Sequence, residues 1–185
     1  MDRSERRVFR LYFAGIGIAV AASLAVVFLA LAWRSRQLAD EAVLSQARAL
    51  FGSMAVMRQW NAWHGGVYTQ KRPETPPNPF LARPEVLTRD GEALTFINPS
   101  TMTREISDMS GQSGGVRFRI TSLKLANPAN APTPFEREAL RAFARGEKEF
   151  FATEEAGSAR TFRYMAPLAP EESCLPCHAA QGYRV

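Results

Sequence analysis

The chain predicts an α+β protein, with a small, mostly antiparallel sheet and flanking helices, preceded by a transmembrane helix and a long N-terminal helix. Three observations predict it. Leu11 to Trp33 contains no charged residue, and residues 34–64 contain no Pro and a single Gly52. The remainder alternates short apolar runs with Gly- and Pro-rich punctuation. At 185 residues, with 46% hydrophobic and 22% charged residues, the composition excludes a disordered chain and fits one domain with appendages.

As a helix, the uncharged stretch 11–33 would be about 34 Å long, enough to cross a bilayer. Arg3, Arg6, Arg7 and Arg10 crowd its N-terminal flank, partly offset by Asp2 and Glu5. Positive charge is retained in the cytoplasm. Residues 1–10 are therefore expected as a cytoplasmic basic tail, and 11–33 as the anchor of a single-pass membrane protein. The rest of the chain is expected on the extracytoplasmic side, which for the family resembled below is the periplasmic side of the bacterial inner membrane. Ala30, Leu31 and Ala32 also spell a signal-peptidase site, but the apolar core is longer than a usual signal h-region, which favours an uncleaved anchor. The net charge of +5 and pI near 9.7 could suggest nucleic acid. The basic residues are dispersed, however, and their densest cluster precedes the apolar run, so a membrane partner is expected and nucleic acid is not.

Residues 34–64 read as one connecting helix. Val43, Ala47, Leu50, Met54, Met57, Asn61 and His64 recur at alternating steps of four and three, along one stripe. That stripe is a packing seam or the helix of a parallel homodimer. Gly65 and Gly66 end the helix. Residues 65–185 form the folded domain. Pro73, Pro76, Pro77, Pro79 and Pro84 predict a loop over 71–88. Ala93–Ile97 is a strand candidate, and Pro99 and Ser100 open a helix through about Met109, with Glu105 near its first turn. Val116, Phe118 and Ile120 alternate with Arg117, Arg119 and Thr121, which predicts a strand with one wet face. A helix is expected over Pro134–Arg145, then a hairpin of Glu149–Thr153 and Arg160–Leu168 turning at Gly157. This order suits a PAS-like sensor architecture. The chain ends seven residues after His178, so a last strand that would complete the sheet is expected to be missing.

Cys174, Leu175, Pro176, Cys177 and His178 form a CxxCH run that uses both cysteines and one of the two histidines. This is the attachment signal of c-type haem. Two thiols on one short turn can each add to a vinyl group of the same porphyrin, and the next residue supplies an imidazole to the iron. A structural disulfide would close a short, strained loop. Zinc would need two further ligands, and only His64 is unused. One covalent haem c is therefore expected, with Cys174 and Cys177 as thioether links and His178 as axial ligand.

Five runs together resemble a known family, the membrane-tethered c-type haem sensor domains found extracytoplasmically in bacterial histidine kinases and related signalling proteins. They are Arg58–Tyr68 (RQWNAWHGGVY), Leu94–Met102 (LTFINPSTM), Gly114–Leu123 (GGVRFRITSL), Asn127–Glu136 (NPANAPTPFE) and Phe162–Tyr183 (FRYMAPLAPEESCLPCHAAQGY). The likeness covers most of residues 38–185. It implies a haem-bearing PAS-like domain whose iron responds to redox state or to a small diatomic ligand. One member of that family uses a free cysteine opposite the motif histidine, whereas this chain has no third cysteine. Members also continue into a closing strand, a second span and an output module. None of these is expected here, so kinase function is not carried over.

His64 is the first candidate for the second axial ligand, with Met54, Met57 and Met165 as alternatives and an open site as the last. Met57 would lie about 10 Å along the helix from His64, so the two cannot serve interchangeably. Arg58, Arg104, Arg117 and Arg119 are candidates for the haem propionates. Trp60 and Tyr68, with Trp63, Phe118 and Tyr164, suit either the porphyrin faces or an ordinary core. No nucleophile triad, phosphate loop or paired-carboxylate motif stands out, so a sensory domain is expected and not an enzyme. Its partners would be the membrane and a separate signalling or electron-transfer protein. A membrane-anchored electron carrier is the first alternative, and a thiol-disulfide oxidoreductase using Cys174 and Cys177 the second.

Overall fold

The computed structural model describes residues 2–74, 76–157 and 159–184. Of Ala156, Ala159, Ser173, Pro176, Cys177 and Ala180 it describes the backbone alone. Two compact units divide at Gln46 and Ala47. The first is helical from Arg3 onward and belongs to α1, Arg3–Trp63. The apolar residues of 11–33 lie on every side of that helix and none of its most apolar window is buried. A helix apolar all round is a membrane span or a core helix, and this one has no core around it. The stretch is long and apolar enough to cross a membrane, and it supports a single-pass membrane protein.

The second unit is α+β and PAS-like, with a small antiparallel sheet flanked by helices. It contains the C-terminal part of α1, the strands β1 (Val67–Gln70), β2 (Glu85–Leu87) and β3 (Ala93–Ile97), then the helices α2 (Pro99–Gln112) and α3 (Pro134–Ala144). The hairpin β4 (Phe150–Ala156) and β5 (Ala159–Met165) comes next, and the short helix α4 (Leu175–His178) lies between two 3-10 turns. The first sheet has order β1-β3-β2, with β1 pairing Val67↔Ile97 to Gln70↔Leu94, and β2 pairing Glu85↔Thr95 to Leu87↔Ala93. β4 and β5 form a separate two-stranded sheet.

Ala47, Leu50, Met54 and Asn61 of the expected stripe do turn inward. Val43, Met57 and His64 do not, because a repeat of 3.5 residues drifts off the face of a helix that turns every 3.6. Phe51, Ala55, Arg58 and Ala62 take over the inward face. At its end the helix is locked to the central strand. The fully buried Asn61 donates through Nδ2 to the Ile97 carbonyl at 3.2 Å, and its own backbone carbonyl accepts from Gly66 at 2.8 Å. Gly66 has φ +92°, and a Cβ there would lie 2.3 Å from the Phe96 ring, so the turn requires glycine.

α2 opens at Pro99 as expected, and Asn98 caps it, accepting from the Thr101 N–H at 2.8 Å. Thr133 and Glu136 build a capping box on α3. The expected strand 116–120 is not one. Its side chains and donors are taken by neighbouring loops and helices instead of by a strand partner. The Phe118 N–H donates to Ser107 Oγ, Thr121 Oγ1 donates to the Asn130 carbonyl, and Arg119 pairs with Glu136 at 3.1 Å. Conversely, the Pro-rich loop carries the short edge strand β2, and β1 comes directly after the Gly65–Gly66 turn. The hairpin is clasped to α1. Arg48 Nε donates to Glu149 Oε2 at 2.9 Å, its Nη2 to Oε1, and Tyr164 Oη donates to Oε2 at 3.1 Å. Phe51 packs on Tyr164 with ring centroids 6.0 Å apart.

Asn61→Ala removes the bond to β3 and leaves a buried carbonyl short of a partner. It is expected to lower unfolding stability by about 1–3 kcal/mol, read from urea titration of the full chain in detergent. The Arg48 guanidinium, with Tyr164 also donating, holds the Glu149 carboxyl below the usual glutamate range. A depressed pKa contributes stability that is fully present above about pH 4.3 and is lost as pH falls through the folded value. Glu149→Gln is expected to flatten that acid limb of the stability curve.

Candidate functional site

Cys174 closes the 3-10 turn Glu172–Cys174 and begins the one-turn helix α4, which ends at His178. Its thiol is free and half-buried, and Sγ accepts from the Glu171 N–H at 3.5 Å. The Cys177 side chain lies outside the described residues. Glu171 and Glu172 form one wall of a groove of about 610 Å³, and Val56, Gln59, Trp60, Ala62 and Trp63 of α1 form the other. Trp63 is 82% exposed and Trp60 53%. Two indoles so exposed beside a thiol-bearing turn offer a large apolar surface that the domain itself does not cover.

His64 stands just past the last turn of α1, where its N–H bonds to the Trp60 carbonyl at 3.2 Å. Its exposed ring lies 4.6 Å from that of Trp60 and 5.1 Å from that of Trp63. His178 has a different setting, edge-on to Tyr183 at 5.6 Å. Tyr183 is itself anchored, since its hydroxyl hydrogen-bonds the Ser122 hydroxyl and Lys124 Nζ stands 5.5 Å over its ring. Lys124 also donates to the Gly182 carbonyl at 3.2 Å. These three residues were not among the expected site residues. Their signal was available in part, because Ser122 and Tyr183 fall inside two of the five family-like runs.

Arg58 reaches inward from α1. Its Nη1 donates to the Pro99 carbonyl and to Thr103 Oγ1, both at 3.0 Å. Arg58 lies well beyond the apolar stretch 11–33, and burial pushes its guanidinium below the usual arginine value, an effect that the nearby Cys174 thiol opposes. The other arginines lie elsewhere. Arg119 is engaged by Glu136 and the Ala131 carbonyl. Arg117 lies over Gly111, where an added Cβ would meet its Nε at 3.1 Å. Arg104 is exposed beside Glu105, whose carboxyl is pushed up by burial and pulled down by Arg104.

The expected aromatic cluster is distributed. Trp60 and Trp63 share the groove, Tyr68 packs on Phe96 at 5.1 Å, and Tyr164 joins the Arg48 clasp. Of the methionines, Met54 is buried in the core, Met57 is 41% exposed, and Met165 sits opposite Phe150 at the base of the hairpin. Among the described residues no three His, Cys, Asp or Glu side chains cluster as a metal site. The donors that remain are the Cys174 thiol and the His178 imidazole on one short turn, and the His64 imidazole beside the groove tryptophans. That set suits a covalently attached macrocycle better than a bare ion.

The Tll0287-like family model matches residues 35–183. The chain belongs to the Tll0287-like family. No curated protein and no solved structure matches it. The family region begins just after the apolar stretch and takes in the motif, the groove and Tyr183. Family and fold together support a PAS-like, membrane-associated sensor domain.

Tyr183→Ala removes both the ring against His178 and the tie to Ser122. Amide exchange over residues 175–182 is expected to accelerate at least about tenfold, while β3 and α2 keep wild-type rates.

Proposed function

We propose that residues 47–185 form the extracytoplasmic sensor domain of a single-pass membrane protein and that this domain holds one haem c. One observation carries the reading: Cys174, the first residue of the CLPCH run, accepts from the N–H of Glu171, and Glu171 lines an aromatic groove of about 610 Å³. Cys174 and Cys177 would hold the group through thioether bonds and His178 would be an axial ligand. His64 is the candidate for the opposite side, with Met54, Met57 and Met165 as alternatives. Bound there, a haem supplies a one-electron couple and an iron position for a diatomic ligand.

The chain's own residues have distinct tasks in this reading. The Glu171 N–H orients the Cys174 thiol, and Tyr183 fixes the plane of the His178 ring. Trp60 and Trp63 offer apolar faces along the groove. Glu149 and Tyr164 hold Arg48, so a shift of the segment leading into the motif reaches α1 through one clasp. In this reading a signal would shift α1 between this packing and a second one. The arginines at positions 3, 6, 7 and 10 favour a cytoplasmic N-terminus. The role is sensory and not enzymatic, with a second copy meeting it along residues 34–64 and a separate protein receiving the signal.

Full-length protein from a host competent in cytochrome maturation is expected to be coloured, to give a pyridine haemochrome band and to gain the mass of one haem. The variant lacking both Cys174 and Cys177 should lose covalent attachment, and His178→Ala should keep it with an altered spectrum. Reduced protein should change its spectrum with carbon monoxide or nitric oxide. Colourless protein sinks the haem, and an unchanged spectrum with both gases leaves an electron carrier.

A further inference from the structure

Arg3, Arg6, Arg7 and Arg10 occupy the first turns of α1. With one turn every 3.6 residues or so, they fall within an arc of about 100° on one side of the helix, and Glu5 falls on the opposite side. All four are exposed, and among the described residues none of them forms an ion pair. The two acids nearby are occupied at the helix start. Asp2 Oδ1 accepts from the Arg3 N–H at 2.6 Å and its Oδ2 from the Ser4 hydroxyl at 2.9 Å, while Glu5 Oε2 accepts from the Asp2 N–H at 3.0 Å. Asp2 thus holds the place an anion would take at the helix terminus, and what is left to meet one is the row of guanidinium groups.

The row runs without a break into the apolar stretch 11–33. Phe9, Tyr12 and Phe13 form an exposed aromatic group at the junction, with the Phe9 and Phe13 ring centroids 4.4 Å apart and Tyr12 edge-on to Phe13 at 5.8 Å. Tyr12 at one end of the stretch and Trp33 at the other are the residue types that settle at the headgroup level of a bilayer. Measured along the axis from Tyr12, Arg10 is about 3 Å away, Arg7 about 8 Å and Arg3 about 14 Å. The headgroup layer is about 5–8 Å thick, so it takes in Arg10 and Arg7, and Arg6 and Arg3 stand just outside it, within about one Debye length of its charge. The far end differs. Arg34 and Arg36 point to nearly opposite sides of the helix and are followed by Asp40 and Glu41.

We propose that Arg3, Arg6, Arg7 and Arg10 form a binding surface for anionic phospholipid, pairing with the phosphate headgroups of the adjoining leaflet and gathering acidic lipid around the N-terminal end of α1. The inference goes beyond the sensory reading and stands with or without a haem. The chemistry matches, because a guanidinium fork takes a phosphate through two parallel hydrogen bonds and keeps its charge at any physiological pH. The position selects the occupant. Lipid phosphates are the anions that a basic row continuous with a membrane span meets first and at the highest local concentration, and four such residues make a cluster of the size that recognises acidic lipid. Lipid charge then becomes one of the forces that set the depth and tilt of the anchor.

The test is electron spin resonance of the full-length chain in phosphatidylcholine bilayers that carry a trace of spin-labelled phosphatidylglycerol or spin-labelled phosphatidylcholine. It reads how strongly each lipid associates with the protein, and both leaflets have the same composition, so orientation does not enter. Wild type is expected to prefer phosphatidylglycerol at least about threefold, and raising NaCl from about 0.1 M to 1 M should erode that preference. Arg3→Gln, Arg6→Gln, Arg7→Gln and Arg10→Gln combined should abolish it, and the four corresponding Lys substitutions should keep most of it. Arg34→Gln with Arg36→Gln should leave it unchanged. Equal preference in wild type and the combined Gln variant overturns the proposal, and so does a loss that follows Arg34 and Arg36. Should the combined variant not insert, the pairs Arg3→Gln with Arg7→Gln and Arg6→Gln with Arg10→Gln decide. Each pair should lose about half of the preference on a logarithmic scale, and two pairs that both match wild type end the idea. Inorganic phosphate should weaken the preference no more than NaCl of equal ionic strength, and a larger effect assigns the row to free phosphate and overturns the lipid. Wild type without any preference overturns it too and leaves an acidic protein as the partner. A colourless chain that still selects phosphatidylglycerol sinks the haem alone.

Discussion

The end of α1 is held by one buried amide. Asn61 bonds to the Ile97 carbonyl of the central strand while its own backbone carbonyl receives the Gly66 N–H, so the last turn of the helix and the first sheet form one rigid corner. Arg58, Trp60, Trp63 and His64 all lie within three residues of it. Their positions depend on that corner. A helix free to rotate there would turn the indoles away from Glu171 and Glu172 and withdraw the guanidinium from α2.

The interior of this unit is polar to an unusual degree. Thr95, Thr101, Thr103, Asn78 and Glu136 are buried beside Met54, Ile97, Ala139 and Ala142. Most of these polar groups have definite partners: Asn78 donates to Thr101, Thr103 to the Pro99 carbonyl, and Glu136 is shared by the capping box and Arg119. Such bonds add little net stability each, but they permit few alternative packings. Among the described residues the Asn61 Oδ1 and Thr95 Oγ1 atoms are buried without a hydrogen-bond partner, and such atoms are ordinarily met by an enclosed water.

Local pattern made much of this legible. Pro99 and Pro134 mark helix starts, Gly157 marks the hairpin turn, and the uncharged run marks the span, because each is a short-range rule. The segment 116–120 has a strand's alternation and, among the described residues, no strand beside it, so Arg119 and Thr121 went to the loop before α3 and to its first turn instead. The edge strands β1 and β2 hid behind a glycine turn and a run of prolines. At the site, the CxxCH spacing and the neighbouring tryptophans were visible in sequence. The ties of Tyr183 to Ser122 and of Arg58 to Thr103 were not, since they join positions 61 and 45 residues apart that no periodicity connects.

The hairpin β4–β5 belongs to no larger sheet. Among the described residues its strands pair only with each other, and a lone two-stranded ribbon is marginal in water. It stands by leaning on helices, through Phe135 against Phe150, Arg163 over Phe135, and the clasp at Arg48. The polypeptide entering the cysteine run is therefore the part most ready to open without global unfolding. When that ribbon lifts away, the turn that carries Cys174 is uncovered while the corner at Asn61 stays formed.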